Sequence, residues 1–235
     1  MNSLIPMDAF PQSDYVRGGG LKRMGGKLAG ALASKELKEN LALAEEVKHY
    51  ACSHIQFSSN NLARSQLLKD MKAAQDPELR DAISAVELSI DTIRALKLSW
   101  EKRHPDQVGT INEMIHGAII AERYRVGNCE EITQTGCKYI LDHRDEEHIR
   151  DKRVEMFAIV GSDHRFMVIG RPEDSDPNDV RTWKDAAIND AWIATVSPAR
   201  SQLFGIFGYD PKLGHHLMPV LEIPRFGADP HGSSS

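Results

Sequence analysis

The apolar residues of this chain change their spacing near residue 150, and that change constrains the fold more than any other feature. Upstream, Leu37, Leu41, Leu43, Ala44 and Val47 recur at helical spacing, as do Ile83, Val86, Ile90, Ile93 and Leu96, and then Ile111, Met114, Ile115, Ile119 and Ile120. Such a period buries one stripe of a helix against a core. Downstream, Val154, Met156, Ala158 and Val160 alternate with Glu155, Phe157 and Ile159; the turn Gly161-Ser162-Asp163 follows, and residues 165–170 resume an apolar run. Alternation, a short turn and a second run read as a β-hairpin. Helices first and an antiparallel sheet afterwards predict an α+β architecture.

Punctuation residues divide the chain further. Residues 1–26 mix Pro6, Pro11, Ser3 and Ser13 with two glycine clusters and carry little apolar periodicity, so a disordered start is expected, of the uncleaved kind that also serves as a secretion signal. A helical region is expected over 27–124. Its helices cover 27–50, a stretch from about 58 through Leu62, Leu67, Leu68 and Met71, and a third from Asp76 as N-cap, with Pro77 at the first helical position, toward Trp100. His104-Pro105-Asp106 breaks the pattern before a helix over 111–125. Residues 125–224 form the expected core: a helix from Asn128, the hairpin, a surface loop over 172–179, and strands over 187–190 and 217–223. Residues 225–235 read as a flexible tail.

Composition narrows the function classes. A formal net charge of −5 over 235 residues disfavours nucleic-acid binding, which needs clustered Lys and Arg to neutralise phosphates. Three cysteines without a C-x-x-C pair give neither a disulfide framework nor zinc spacing, so reduced thiols and no cofactor are expected. No apolar run reaches the roughly 20 residues of a membrane-spanning helix, which predicts a soluble protein without a membrane span.

The chemistry-bearing residues follow one another in a suggestive order. Cys129 stands at the expected helix start in Gly127-Asn128-Cys129-Glu130-Glu131, His164 opens the second hairpin strand, and Asp190 closes the strand after it. A thiol in the first turn of a helix meets free N–H groups and partial positive charge, which favour the thiolate and supply oxyanion donors. His164 would serve as general base and acid, and Asp190 would orient its ring. Asn189 takes that place if the strand register differs by one. Taken singly, each residue also fits a plain structural role: a buried small side chain for Cys129, a turn for His164 and a strand end for Asp190. Cys137 reads as core, and His143, His148, His215 and His216 as solvated surface. Arg171 and Arg181 could grip an acidic target, and Trp183 and Trp192 could wall a cleft or fill core.

The segments G-N-C-E-E, D-H-R-F-M-V-I-G-R and N-D-A-W, followed by V-S-P-A, resemble the papain-like and transglutaminase-like Cys-His-Asp domains of effector proteins that bacteria inject into host cells. The resemblance covers roughly 125–200. It implies a papain-like core with Cys129 as nucleophile, His164 as base and Asp190 as orienter. The family's third motif more often reads Asp-Pro-Trp, where this chain has Asp190-Ala191-Trp192. Papain relatives carry a Gln about six residues before the Cys, where this chain has Arg123, so the oxyanion hole falls to the Cys129 amide and Asn128. The implied activity is a cysteine hydrolase, glutamine deamidase or thiol protease, acting on a host protein after secretion into the host cytoplasm. Alternatives are a transglutaminase, which shares the triad, and a non-catalytic interaction module that uses its helical half.

Overall fold

The computed structural model describes residues 33–56, 58, 77–202, 206 and 209–225. The start expected to be disordered, the helix expected from about 58 through Met71 apart from Ser58, the Asp76 cap and most of the tail lie outside the described residues. The chain divides into two units after Ala33.

Four α-helices and five strands make up the unit from Ser34 onward, among the described residues: α1 Lys35–His54, α2 Pro77–Arg103, α3 Ile111–Tyr124, α4 Cys129–Asp142, β1 Val154–Val160, β2 His164–Ile169, β3 Ala187–Asp190, β4 Thr195–Pro198 and β5 His216–Ile223. Local chemistry sets the helix ends. Ser34 caps α1 by accepting the Leu37 N–H at 3.0 Å. Thr110 caps α3, and Arg125, left-handed at φ 57°, ends it with its N–H on the carbonyls of Ala121 and Glu122. His104-Pro105 stops α2, and residues 105–107 form a single 3-10 turn.

All strand pairings are antiparallel, in the order β4-β3-β2-β1-β5. β1 and β2 form the expected hairpin, with Met156 opposite Met167 and Phe157 opposite Phe166. β4 is a strand that the sequence analysis assigns only to a motif: its four residues are all half-buried, so the alternation that marks a one-sided strand is missing.

Period two sends side chains to two cores. Val154, Met156, Met167, Ile169 and Ala187 pack with Val47 of α1 and with Cys137 and Ile140 of α4. Phe157, Ile159, Phe166, Val168, Ile188 and Leu217 pack on the other side with Trp183, Ala186, Ala199 and Ile206. The first core shows why α1 cannot be separated from the sheet: it lies on α4 and β3, and Asn189 Nδ2 donates to the Ala44 carbonyl at 3.1 Å. Gly136 permits the close approach, since a Cβ there would stand 2.8 Å from Val47 Cγ1 and 3.1 Å from Met167 Cε.

The structure overturns one arginine reading and decides between two for a tryptophan. Arg171 does not face a target; it is buried, donates from Nε and Nη2 to both oxygens of Glu155 at 2.8 and 2.7 Å, and also holds Ser175. Trp183 is fully buried and donates to the Asp176 carbonyl at 2.8 Å, so it is core.

Candidate active site

Three element ends meet at one end of the sheet. Cys129 is the first residue of α4, His164 the first of β2 and Asp190 the last of β3, and because β2 and β3 run antiparallel, the start of one lies beside the end of the other. Thr133, one turn into α4, donates to the Cys129 carbonyl at 2.7 Å and to the Arg165 carbonyl at 3.4 Å, which fixes the first turn of α4 over the start of β2.

Asp190 Oδ2 lies 2.7 Å from His164 Nε2, with the two side chains only 5% and 3% exposed. Cys129 also acts on the imidazole, and with Nε2 engaged by the carboxylate, Nδ1 is the ring nitrogen left to face the sulfur. Burial pushes the imidazole down, but hydrogen bonds to Asp190 and Cys129, together with their charges, more than reverse it and hold His164 up at about 9. The Cys129 sulfur additionally donates to the Asp163 carbonyl at 3.5 Å. Trp192 roofs the imidazole, ring centroids 5.3 Å apart at 54°. The second oxygen of Asp190 is buried and has no hydrogen-bond partner among the described residues. The alternative orienter, Asn189, points to α1 rather than to His164.

Asn128 sits at the N-cap of α4 in a capping box, its backbone N–H donating to Glu131 Oε2 at 2.8 Å. Ser58 Oγ donates to Asn128 Oδ1 at 2.9 Å and accepts from Trp192 Nε1 at 3.2 Å, so one hydroxyl joins the cap to the roof. Of the Asn128 carboxamide, only Nδ2 can donate to an oxyanion. Gly127 keeps the approach narrow: a Cβ there would stand 2.7 Å from Glu131 Cβ.

Charge beside the thiol is heavily managed. Glu130, next to Cys129, lies 2.6 Å from Lys97 Nζ of α2 and 3.2 Å from Arg165 Nε, while Glu131 lies 3.6 Å from Arg94 Nε. Burial raises the Glu130 carboxyl, yet Lys97 and Arg165 hold it below the usual carboxylate range. Sequence reasoning does not reach Ser58 or Lys97. The sequence carries no signal for Lys97, because its pairing with Glu130 joins two helices far apart in the chain.

Other candidates lie apart. Cys137 is buried in the helix-side core, which pushes its thiol up to about 12. Arg181 pairs locally with Asp179 at 2.7 Å. Among the described residues no group of three or more His, Cys, Asp or Glu is arranged to hold a metal ion, and no helix is long and apolar enough to cross a membrane. Comparison with family models, characterised proteins and solved structures finds no match for this chain.

Proposed function

We propose that the protein is a cysteine-dependent hydrolase of papain-like type that acts on an amide of another protein. The reading rests on one observation: a buried imidazole held by a carboxylate, Asp190 Oδ2 at 2.7 Å from His164 Nε2, beside a helix-borne thiol, Cys129, that acts on the same ring. A nucleophile, its base and the base's orienter need that connectivity, whereas three unrelated structural residues do not.

In the proposed cycle the Cys129 thiolate attacks the amide carbonyl, and the oxyanion is received by the Cys129 amide N–H and Asn128 Nδ2. As the C–N bond breaks, protonated His164 gives its Nδ1 proton to the departing nitrogen, leaving a thioester on Cys129. His164 then takes a proton from water, the hydroxide adds to the thioester carbonyl, and the C–S bond breaks to release the carboxylic acid and the Cys129 thiolate, which restores the starting pair of thiolate and protonated His164. A glutamine side chain releases ammonia, which is deamidation, and a backbone amide releases an amine, which is proteolysis; an amine in place of water gives transglutamination. The motif resemblance favours deamidase or protease, with a host protein as substrate and secretion into the host cell as the route.

A second reading, a non-catalytic interaction module, draws on Leu88, Leu98 and Ile119, large apolar side chains of α2 and α3 that are about half exposed or more. Incubating a host-cell lysate with wild type or Cys129→Ala under reducing conditions, followed by peptide mass spectrometry, separates them. Cleavage products, single-dalton gains at Gln or cross-links present only with wild type support the hydrolase and name its bond. Identical proteomes, together with capture of a partner by both forms, sink it.

A further inference from the structure

The first turn of α4 carries more negative charge than its own helix can offset. Its free N–H groups amount to about half a positive charge, while Glu130 and Glu131 bring two carboxylates into the same turn as Cys129. Left alone, they would oppose a thiolate there, because a like charge nearby disfavours the charged form. The compensation comes from elsewhere in the chain. Lys97 reaches from α2 to Glu130 at 2.6 Å with its side chain only 18% exposed, Arg165 reaches from β2 to the other oxygen at 3.2 Å, and Arg94, one turn before Lys97, covers Glu131 at 3.6 Å. Lys97 is shared, since Glu113 of α3 lies at 3.0 Å and Glu101 at 4.0 Å from the same ammonium. Gln134 Nε2 adds a neutral donor to Glu130 at 3.2 Å, and His164, Asp190 and Asp163, whose carbonyl accepts from Cys129 at 3.5 Å, are further titratable residues beside the thiol.

We propose that Lys97 is a positioning residue of the site: by neutralising Glu130 together with Arg165 it lets the Cys129 thiolate persist, so that docking of α2 sets the reactivity of the nucleophile. The burial of Lys97 among three carboxylates is what a fixed counter-charge requires, and a surface cation would be screened. The inference rests on the proposed hydrolase reading, but it can be tested without a substrate.

The test follows thiolate formation at Cys129 by ultraviolet absorbance across pH, with Cys129→Ala as the blank, and by the rate of iodoacetamide labelling of the Cys129 peptide. Lys97→Met raises the midpoint by about one pH unit, and Lys97→Arg stays within a few tenths of wild type. Adding Glu130→Gln to Lys97→Met returns the midpoint to the wild-type value, and Glu130→Gln alone lowers it, which covers the case in which Lys97→Met fails to fold. A Lys97→Met midpoint equal to wild type, or a shift that Glu130→Gln does not reverse, overturns the assignment of Lys97 while leaving the hydrolase reading intact. A wild-type midpoint no lower than that of Cys52 overturns both.

Discussion

The two faces of the sheet are covered by different kinds of structure, and the candidate site draws on both. One face lies under α1 and α4, whose regular stripes bury Val47, Cys137 and Ile140 against Met167 and Ile169. The other is closed by short 3-10 turns and loop residues, with Trp183, Ala186, Ala199 and Ile206 over Phe157, Phe166 and Ile188. Cys129 belongs to the helical cover, while His164 and Asp190 share strand parity with Phe166 and Ile188 on the loop-covered face. A thiol and its neighbouring amide in one helical turn keep their geometry whatever happens outside it. The imidazole is held differently, by a carboxylate on the adjacent strand. Alignment of thiol with imidazole therefore depends on the sheet, the one element that both covers share.

The largest expected effect breaks the link on the loop-covered side. Asp190→Asn should lower activity by about 10³-fold or more while the fold survives, since the ring loses its charge partner and its tautomer is no longer set. The pH profile carries the same signature. Below about 9 His164 keeps its proton, and above it the acid proposed for the leaving group is lost, so kcat/KM should fall as pH rises through that value. In Asp190→Asn the carboxylate that raises His164 is gone, and this descending limb should move to lower pH. An unmoved limb would assign it to another group.

Next in size is a pair of neighbours on opposite faces. Phe166→Ala should cost about 3–5 kcal/mol and Met167→Ala about 2–5 kcal/mol in chemical denaturation, because both side chains are buried. Only Phe166→Ala should also depress turnover beyond its effect on stability, its ring standing 6.2 Å from that of His164. Equal losses of turnover per folded molecule would show that the two covers matter alike. Smallest is Gly136→Ala, expected to destabilise by about 1–3 kcal/mol through the added methyl group wedging α4 away from Val47 and Met167. Thermal unfolding reads this directly, and a stabilised variant would mean that the seam has slack.

The same contrast explains what the sequence makes legible. α1, α3 and α4 announce themselves because a one-sided helix repeats its apolar positions every three to four residues, and β1 and β2 because alternation and a turn flank Gly161. The loop-covered face leaves no period to read: Trp183, Ala199 and Ile206 reach the core from turns, and β4 is half-buried throughout. At the site, the order of Cys129, His164 and Asp190 along the chain is visible, as is the helix start. The choice of Asp190 over Asn189 is not, since it turns on strand parity, and neither is Lys97, whose pairing with Glu130 spans two helices.

Strand order also governs the sequence of events by which the chain reaches this state. β1, β2, β3 and β4 neighbour one another in the order in which they are made, whereas β5 must return to the far side of β1, and α1 must meet β3 across 145 residues in the Asn189 to Ala44 contact. Small loops close at lower entropic cost than large ones. The meander that sets His164 beside Asp190 should therefore form ahead of the parts that bury it, so the imidazole and the carboxylate are paired while α1 is still free to arrive.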